Sequence, residues 1–212
     1  MSVHLRPEEI EAESFRIIEA ELGAHRWSER EWPVVRRAIH TSADFEWSQS
    51  MCFSENAIDS ALAAIREGVG VVSDTTMILS GVSKLRLKPF GITASCYVAD
   101  PEVAREAKEL KITRSILAMR RAGREAGNGI FLIGNAPTAL FELIRLVREE
   151  NLRPRLIVGL PVGFVGAAES KEALKELARE IPELPFITNT GRKGGSNVAA
   201  AVMNALLIQA EQ

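Results

Sequence analysis

The segment Gly191-Arg192-Lys193-Gly194-Gly195-Ser196 carries the sharpest chemical signal in the sequence. Glycines let a backbone approach a ligand closely, and a helix opening just beyond them offers unpaired N–H groups with partial positive charge. Arg192 and Lys193 add full charges, so the loop reads as a seat for a carboxylate or a phosphate. The plain alternative is a solvated turn with Ser196 capping the next helix. The Gly-x-x-x-x-Gly-Lys-Ser/Thr order of a Walker A loop is absent. Gly127-Asn128-Gly129 precedes a strand instead of following one, which removes most support for nucleotide binding.

The histidines, His4, His25 and His40, show no metal-ligand spacing and no accompanying carboxylate cluster, so no metal site is expected. His40 stands apart. It falls near a helix C-terminus, whose partial negative charge favours a cation, and it enters the polar stretch Thr41-Ser42-Ala43-Asp44; Arg36 and Arg37, one turn earlier, oppose that charge. The position suits a proton donor working near neutral pH. Trp27, Trp32 and Trp47 flank it and read as packing. Asn135-Ala136-Pro137-Thr138 opens a helix, with Pro137 in the first turn and Thr138 or Asn135 as cap; a structural and a ligand-binding reading are equally open.

These residues need a frame. A helix starting at Pro7, with Ile10, Ile17, Ile18 and Leu22 on its apolar side, ends at Gly23. Ser28 and Glu31 have capping-box spacing, but Pro33 would then lie inside the helix, so a start near Glu31 and an end near His40 is the cleaner reading. Then five short apolar segments follow, at 70–73, 92–98, 130–134, 156–160 and 185–189, with helical periods between them. The alternation predicts a mainly parallel five-stranded sheet covered on both faces, an α/β flavodoxin-like three-layer sandwich with extra N-terminal helices. Ligands in such sheets bind beyond the carboxyl ends of the strands, where the polar loops Ser73–Met77, Gly134–Thr138, Pro161–Phe164 and Thr190–Ser196 all fall.

The 212 residues suit one domain, divided into a helical part over 1–55 that carries His40 and an α/β core over 56–212. With 28 acidic against 26 basic residues, nothing suggests a general nucleic-acid or membrane-surface binder. The N-terminal residues have no apolar signal core, and no run reaches the roughly 18 apolar residues of a membrane span, so the cytoplasm is the expected location. Cys52 and Cys96 lie in no paired motif and read as buried small apolar residues.

Taken together, Ile39-His40-Thr41-Ser42-Ala43-Asp44-Phe45, Asp74-Thr75-Thr76-Met77, Gly134-Asn135-Ala136-Pro137-Thr138-Ala139-Leu140, Pro161-Val162-Gly163-Phe164-Val165 with Glu169-Ser170-Lys171, and the Gly191–Ser196 loop resemble the precorrin-8X methylmutase family of cobalamin biosynthesis. The order and spacing of the motifs carry the resemblance, which runs from Ser14 to Ala205. It implies an isomerase that moves a methyl group from C-11 to C-12 of the corrinoid ring, giving hydrogenobyrinic acid, or cobyrinic acid from a cobalt-containing substrate. It further implies a homodimer without a separate cofactor, and His40 as the acid. By the same resemblance Arg114 matches a substrate-binding arginine and Ser14 a polar contact, while Thr76 and Met77 line the ring. Asn135, Pro137, Thr138, Arg192, Lys193, Gly194, Gly195 and Ser196 complete the expected substrate-binding set. Two other classes compete: a carrier that binds the corrinoid without changing it, and a signalling receiver using Asp74 as phospho-acceptor. A receiver expects its acceptor after the third strand, where Asn135 stands instead.

Overall fold

The computed structural model describes residues 6–212; His4 lies outside them. In chain order the elements are α1 (Pro7–Leu22), α2 (Trp32–Ser42), α3 (Trp47–Ser50), β1 (Met51–Phe53), α4 (Ala57–Arg66), β2 (Gly70–Ser73), α5 (Thr76–Gly81), α6 (Lys84–Leu87) and β3 (Ala94–Ser95). They continue with α7 (Pro101–Leu110), α8 (Arg114–Arg124), β4 (Asn128–Ile133), α9 (Pro137–Glu149), β5 (Leu156–Gly159), α10 (Ala167–Glu180), β6 (Phe186–Asn189) and α11 (Ser196–Ala210).

One sheet runs β1-β6-β5-β4-β2-β3, parallel throughout except for β1, which pairs with β6 antiparallel. Numbered within the parallel set alone, this is the 2-1-3-4-5 order of flavodoxin-like folds, with the switch in winding direction between β2 and β4. The class is as expected; the strand count is six, not five. Met51–Phe53 adds an edge strand that three residues of sequence could not announce. The strand expected over 92–98 contracts to Ala94–Ser95, because it sits on the opposite edge with β2 as its one neighbour.

Both sheet faces are buried, and strand alternation divides the apolar residues between two cores. Val71, Ile130, Leu132, Leu156, Val158 and Ile187 face the layer of α2, α4 and α11. Val72, Phe131, Ile133, Ile157 and Phe186 face α8, α9 and α10. Helix α11 is apolar almost all round because it lies between the sheet and α2.

Helix α1 ends at Gly23 as read, with a left-handed φ of 68°. The Ser28–Glu31 capping pair does form, Ser28 N–H donating to the Glu31 carboxylate at 3.1 Å and Glu31 N–H to Ser28 Oγ at 3.3 Å. It closes the turn ahead of α2 and leaves Pro33 in the first helical turn. So the two readings of this start are compatible. Helix α2 runs past His40 to Ser42, and Ala43 ends it in the left-handed region at φ 53°. Trp47 is buried, Trp27 donates to the Ser48 carbonyl at 3.1 Å, and Trp32 stacks on His25 at 4.0 Å. All three tryptophans pack. Neither cysteine is as buried as expected; Cys52 and Cys96 are free and half-buried, on or beside edge strands where cover is incomplete. Among the described residues, no helix is long and apolar enough to cross a membrane, and no group of three or more His, Cys, Asp or Glu could hold a metal ion.

Candidate active site at the strand ends

Strands β2, β4, β5 and β6 end on one edge of the sheet, so the loops after them share that edge. The antiparallel β1 begins there, and the Ser50 carbonyl accepts the Thr190 N–H at 2.9 Å, which brings the segment after α2 to the same place. Sheet polarity thus collects motifs that lie far apart in sequence.

His40 lies exposed in the last turn of α2 and lines a cleft of about 260 Å³. Ser14 and Ile17 from α1, and Ile39, Ala43 and Phe45 from the α2 end, line the same cleft. The Phe15 ring meets the imidazole edge-on at 5.3 Å and is itself covered by the Arg36 guanidinium 4.1 Å from its centroid. Phe15 is thus the aromatic neighbour of the His40 ring among the described residues. Ser14 Oγ donates back to the Ile10 carbonyl at 2.8 Å. The two arginines that would crowd a charged His40 are occupied: Arg36 pairs with Glu19, and Arg37 with Glu11 at 3.1 Å.

The glycine loop joins this cleft through Lys193. Its ammonium reaches Asp44 at 2.5 Å and Glu46 at 2.7 Å, just beyond α2. The hydrogen bonds that Lys193 donates to those two carboxylates raise it above its ordinary value, and the bond to Asp44 lowers that carboxyl. Lys193 therefore ties the loop to the His40 segment. Arg192 has no carboxylate partner among the described residues; its guanidinium lies 5.6 Å from the Phe164 ring. The free positive charge of the loop is Arg192. A Cβ on Gly194 would collide with the carbonyls of Leu160 and Pro161, so glycine is required there by close approach. Gly195, at φ 140°, precedes α11, and Ser196 is buried at its start.

Across the switch point the chain supplies its own anion. The Asp74 carboxylate, 2% exposed, accepts the N–H groups of Gly134 at 3.0 Å, Asn135 at 2.9 Å and Ala136 at 2.6 Å. Burial pushes the Asp74 carboxyl up, and the three N–H donors act against that. The nest is full. Asp74 is thus an internal brace, with no exposed carboxylate for a receiver-type acceptor, and it leaves Asn135 and Thr138 to face outward through their side chains. A Cβ on Gly134 would come within 2.9 Å of Ser196 Cα, which puts this loop directly against the start of α11.

Thr75 caps α5 by accepting the Met77 N–H at 3.3 Å, leaving Thr76 and Met77 exposed on its first turn. Thr113 Oγ1 lies 3.3 Å from Thr138 Oγ1, so Arg114, the exposed first residue of α8, stands beside the Asn135–Thr138 segment. The expected residues form two groups along the edge: His40 and Ser14 with the Lys193 side of the glycine loop, and Arg114 with Asn135, Pro137 and Thr138. Among the described residues, no hydrogen bond or ion pair joins Arg114 to the His40 cleft. A ligand meeting both groups is a broad one.

Two residues of the quoted motifs have buried roles under this edge that the sequence reading did not assign. Asp74 is one; Lys171 of α10 is the other, fully buried with its ammonium at the Gly191 carbonyl, 3.0 Å away, and at that of Lys193. A signal existed for Lys171: it falls one helical turn before Leu174, on the stripe of Ala167, Ser170, Leu174 and Leu177 that α10 buries. A larger hollow of about 660 Å³ opens between α2, α4 and α11, but Arg30, Arg36, Arg37 and Arg86 in its lining are already paired with Asp59, Glu19, Glu11 and Glu211.

The profile of the precorrin-8X methylmutase family matches residues 9–209. A cobalt-precorrin-8 methylmutase of Priestia megaterium is 50% identical over 207 residues, covering 98% of this chain and 90% of the relative. A precorrin-8X methylmutase of Sinorhizobium sp is 39% identical, covering 91% and 90%. The solved precorrin-8X methyl mutase of Thermus thermophilus superposes with a TM-score of 0.88 at 41% identity, over 96% of both chains. With that span of sequence and that fold in common, the chain belongs to the precorrin-8X methylmutase family.

Proposed function

We propose that the protein is the corrin-ring methylmutase its family implies, moving a methyl group from C-11 to C-12 of precorrin-8X or cobalt-precorrin-8. The observation that carries this reading is the family match across residues 9–209, which takes in every loop of the strand-end edge, His40 included. Relatives named for the cobalt substrate match at 50% and 45% identity and those named for precorrin-8X at 41% and 39%, so both substrates belong in the test.

The substrate is a wide apolar ring with many carboxylate arms. Free charge at Arg192 and Arg114, on separate parts of the edge, suits two different arms. Thr76 and Met77 offer flat contact, and the Ile17, Ile39 and Phe45 side of the His40 cleft excludes water from the ring. The shift is intramolecular, so it asks for no nucleophile, methyl donor or separate cofactor; the protein holds the ring in shape and adjusts its electrons. His40, donating a hydrogen bond to the ring C nitrogen, draws electron density out of the conjugated system and eases migration, and the more conjugated product helps drive the step. A homodimer in the cytoplasm belongs to the same reading, supported by the exposed apolar side chains of Phe164 and Val165 beside the loop.

The test mixes purified protein with precorrin-8X and with cobalt-precorrin-8 and follows the visible spectrum. Conversion to hydrogenobyrinic or cobyrinic acid is expected. A ligand that binds with an unchanged spectrum would make the protein a carrier, and failure to bind either would end both readings.

A further inference from the structure

Lys171 performs no step in the proposed chemistry, yet it is a fully buried amine with no carboxylate within ion-pair distance among the described residues. Burial pushes it down to about 8. Its contacts are carbonyls: Gly191 O at 3.0 Å and Lys193 O. Asn189, buried at the end of β6, adds Nδ2 donations to the Lys193 carbonyl at 2.9 Å and to that of Thr190 at 3.0 Å. Three acceptors in the loop, the carbonyls of Thr190, Gly191 and Lys193, are therefore drawn towards the protein interior, while that of Arg192 between them accepts the Gly163 N–H at 3.2 Å.

A trans peptide points its C=O and the next residue's N–H in opposite directions. Inward carbonyls at Thr190, Gly191 and Lys193 turn outward the N–H groups of Gly191, Arg192 and Gly194. None of these three has an acceptor among the described residues. They surround the one loop side chain with an unpaired charge, Arg192.

We propose that Lys171 is a positioning residue for substrate binding: by holding the Gly191 and Lys193 carbonyls inward, it orients the loop's N–H groups and Arg192 into a clamp for one carboxylate arm of the corrinoid. The proposal rests on the methylmutase reading. Either protonation state of the amine supplies the two donors required. Without them the Gly191 carbonyl loses its donor and the Lys193 carbonyl keeps Asn189 alone, so the Gly191 carbonyl turns outward to find water and its oxygen then faces the incoming carboxylate. The chemical step at His40 is untouched.

The experiment compares the wild type with Lys171→Met and Lys171→Gln, each checked for a cooperative thermal transition. Wild-type turnover of cobalt-precorrin-8 or precorrin-8X is measured first, since its absence overturns the methylmutase reading whatever Lys171 does. Expected for Lys171→Met is a KM raised about 10-fold or more with kcat within about threefold, as for a lost contact made equally in ground and transition states. Lys171→Gln, with one donor group, should recover part of that loss. Arg192→Gln should raise KM as well, and adding it to Lys171→Met should raise KM by less than the product of the single effects, because both act on one clamp. In parallel, amide hydrogen exchange should quicken at Gly191, Arg192 and Gly194 in Lys171→Met, a readout independent of substrate. A KM within twofold of wild type, a fall in kcat that tracks lost folded protein, or failure of both variants to fold would overturn the proposal and leave Lys171 a support of the core only.

Discussion

His40 and Lys171 sit at opposite extremes of exposure, and their expected behaviour differs accordingly. His40 is exposed and packs on Phe15 alone among aromatic rings, so His40→Ala should leave the thermal midpoint nearly unchanged. The variant should retain corrinoid affinity within a few-fold while kcat falls by about 10²-fold or more, the usual range for a lost general acid. Full turnover by this variant, followed in the visible spectrum, would take His40 out of the mechanism. Lys171 makes a different prediction. Its folded value, about 8, lies below the ordinary 10.5 because of burial. The native state releases that proton first, so the Lys171 contribution to stability rises as pH climbs from about 8 to about 10.5, by an amount on the order of 3 kcal/mol at ~1.4 kcal/mol per unit. Lys193, raised by its carboxylate partners, has the opposite sign and loses its contribution only as pH rises through its higher folded value. In urea midpoints across pH 7.5–10.5, wild-type stability relative to Lys171→Met should rise steadily with pH; parallel curves would show that Lys171 does not titrate in this window. Of these residues His40 and the glycine loop were legible from local type and spacing. Asp74 and Lys171 stood in the motifs without their internal roles being legible, because which way a buried polar group points depends on loops 60 and 20 residues away in sequence.

At the scale of elements, the frame followed from alternation. Strands β2, β4, β5 and β6 appear where short β-branched runs lie between helical periods, since a strand buried on both faces needs apolar residues at nearly every position. The edges were less readable. β1 is three residues long, and the run at 92–98 has strand composition but keeps strand geometry for only two residues. Edge pairing is decided by what lies alongside, which composition does not encode. The helix pair α8 and α9, which supplies Arg114 and Thr138, is fastened by Glu142. Its carboxylate is nearly buried and takes Arg120 at 2.8 Å and Arg145 at 2.6 Å. Burial pushes the Glu142 carboxyl up, but the bonds from Arg145 and Arg120 outweigh it and hold the group below the ordinary 4.5. With the folded value depressed, the clasp is fully present above pH ~4.5 and is lost as pH falls through the folded value. Glu142→Ala should therefore lower stability by about 1–3 kcal/mol at neutral pH, with most of the difference from wild type gone in acid. Denaturant titrations at pH 7 and below the folded value would check both halves, and an equal deficit at both pH values would mean that packing, not charge, holds the pair together.

For the whole molecule, the question is what covers the strand-end edge. The loop after β5 carries Phe164 and Val165 at 83% and 90% exposure, and Gly166 beside them lies against the half-exposed Phe141 of α9. Large exposed apolar side chains close together offer a surface that a partner can cover. The corrinoid alone does not suit it, because Phe164 neighbours Arg192, whose charge is needed for a carboxylate arm. A second copy of the chain does suit it: a two-fold contact would bury the patch on both subunits, and closure of this kind ends in a dimer. The wild type should accordingly sediment as a dimer at micromolar concentration. Phe164→Asp with Val165→Asp places four carboxylates in the shared contact and should yield a folded monomer with an unchanged far-ultraviolet spectrum. If the variant stays dimeric and only its affinity for the corrinoid falls, the patch belongs to the substrate and the subunit contact lies on another face.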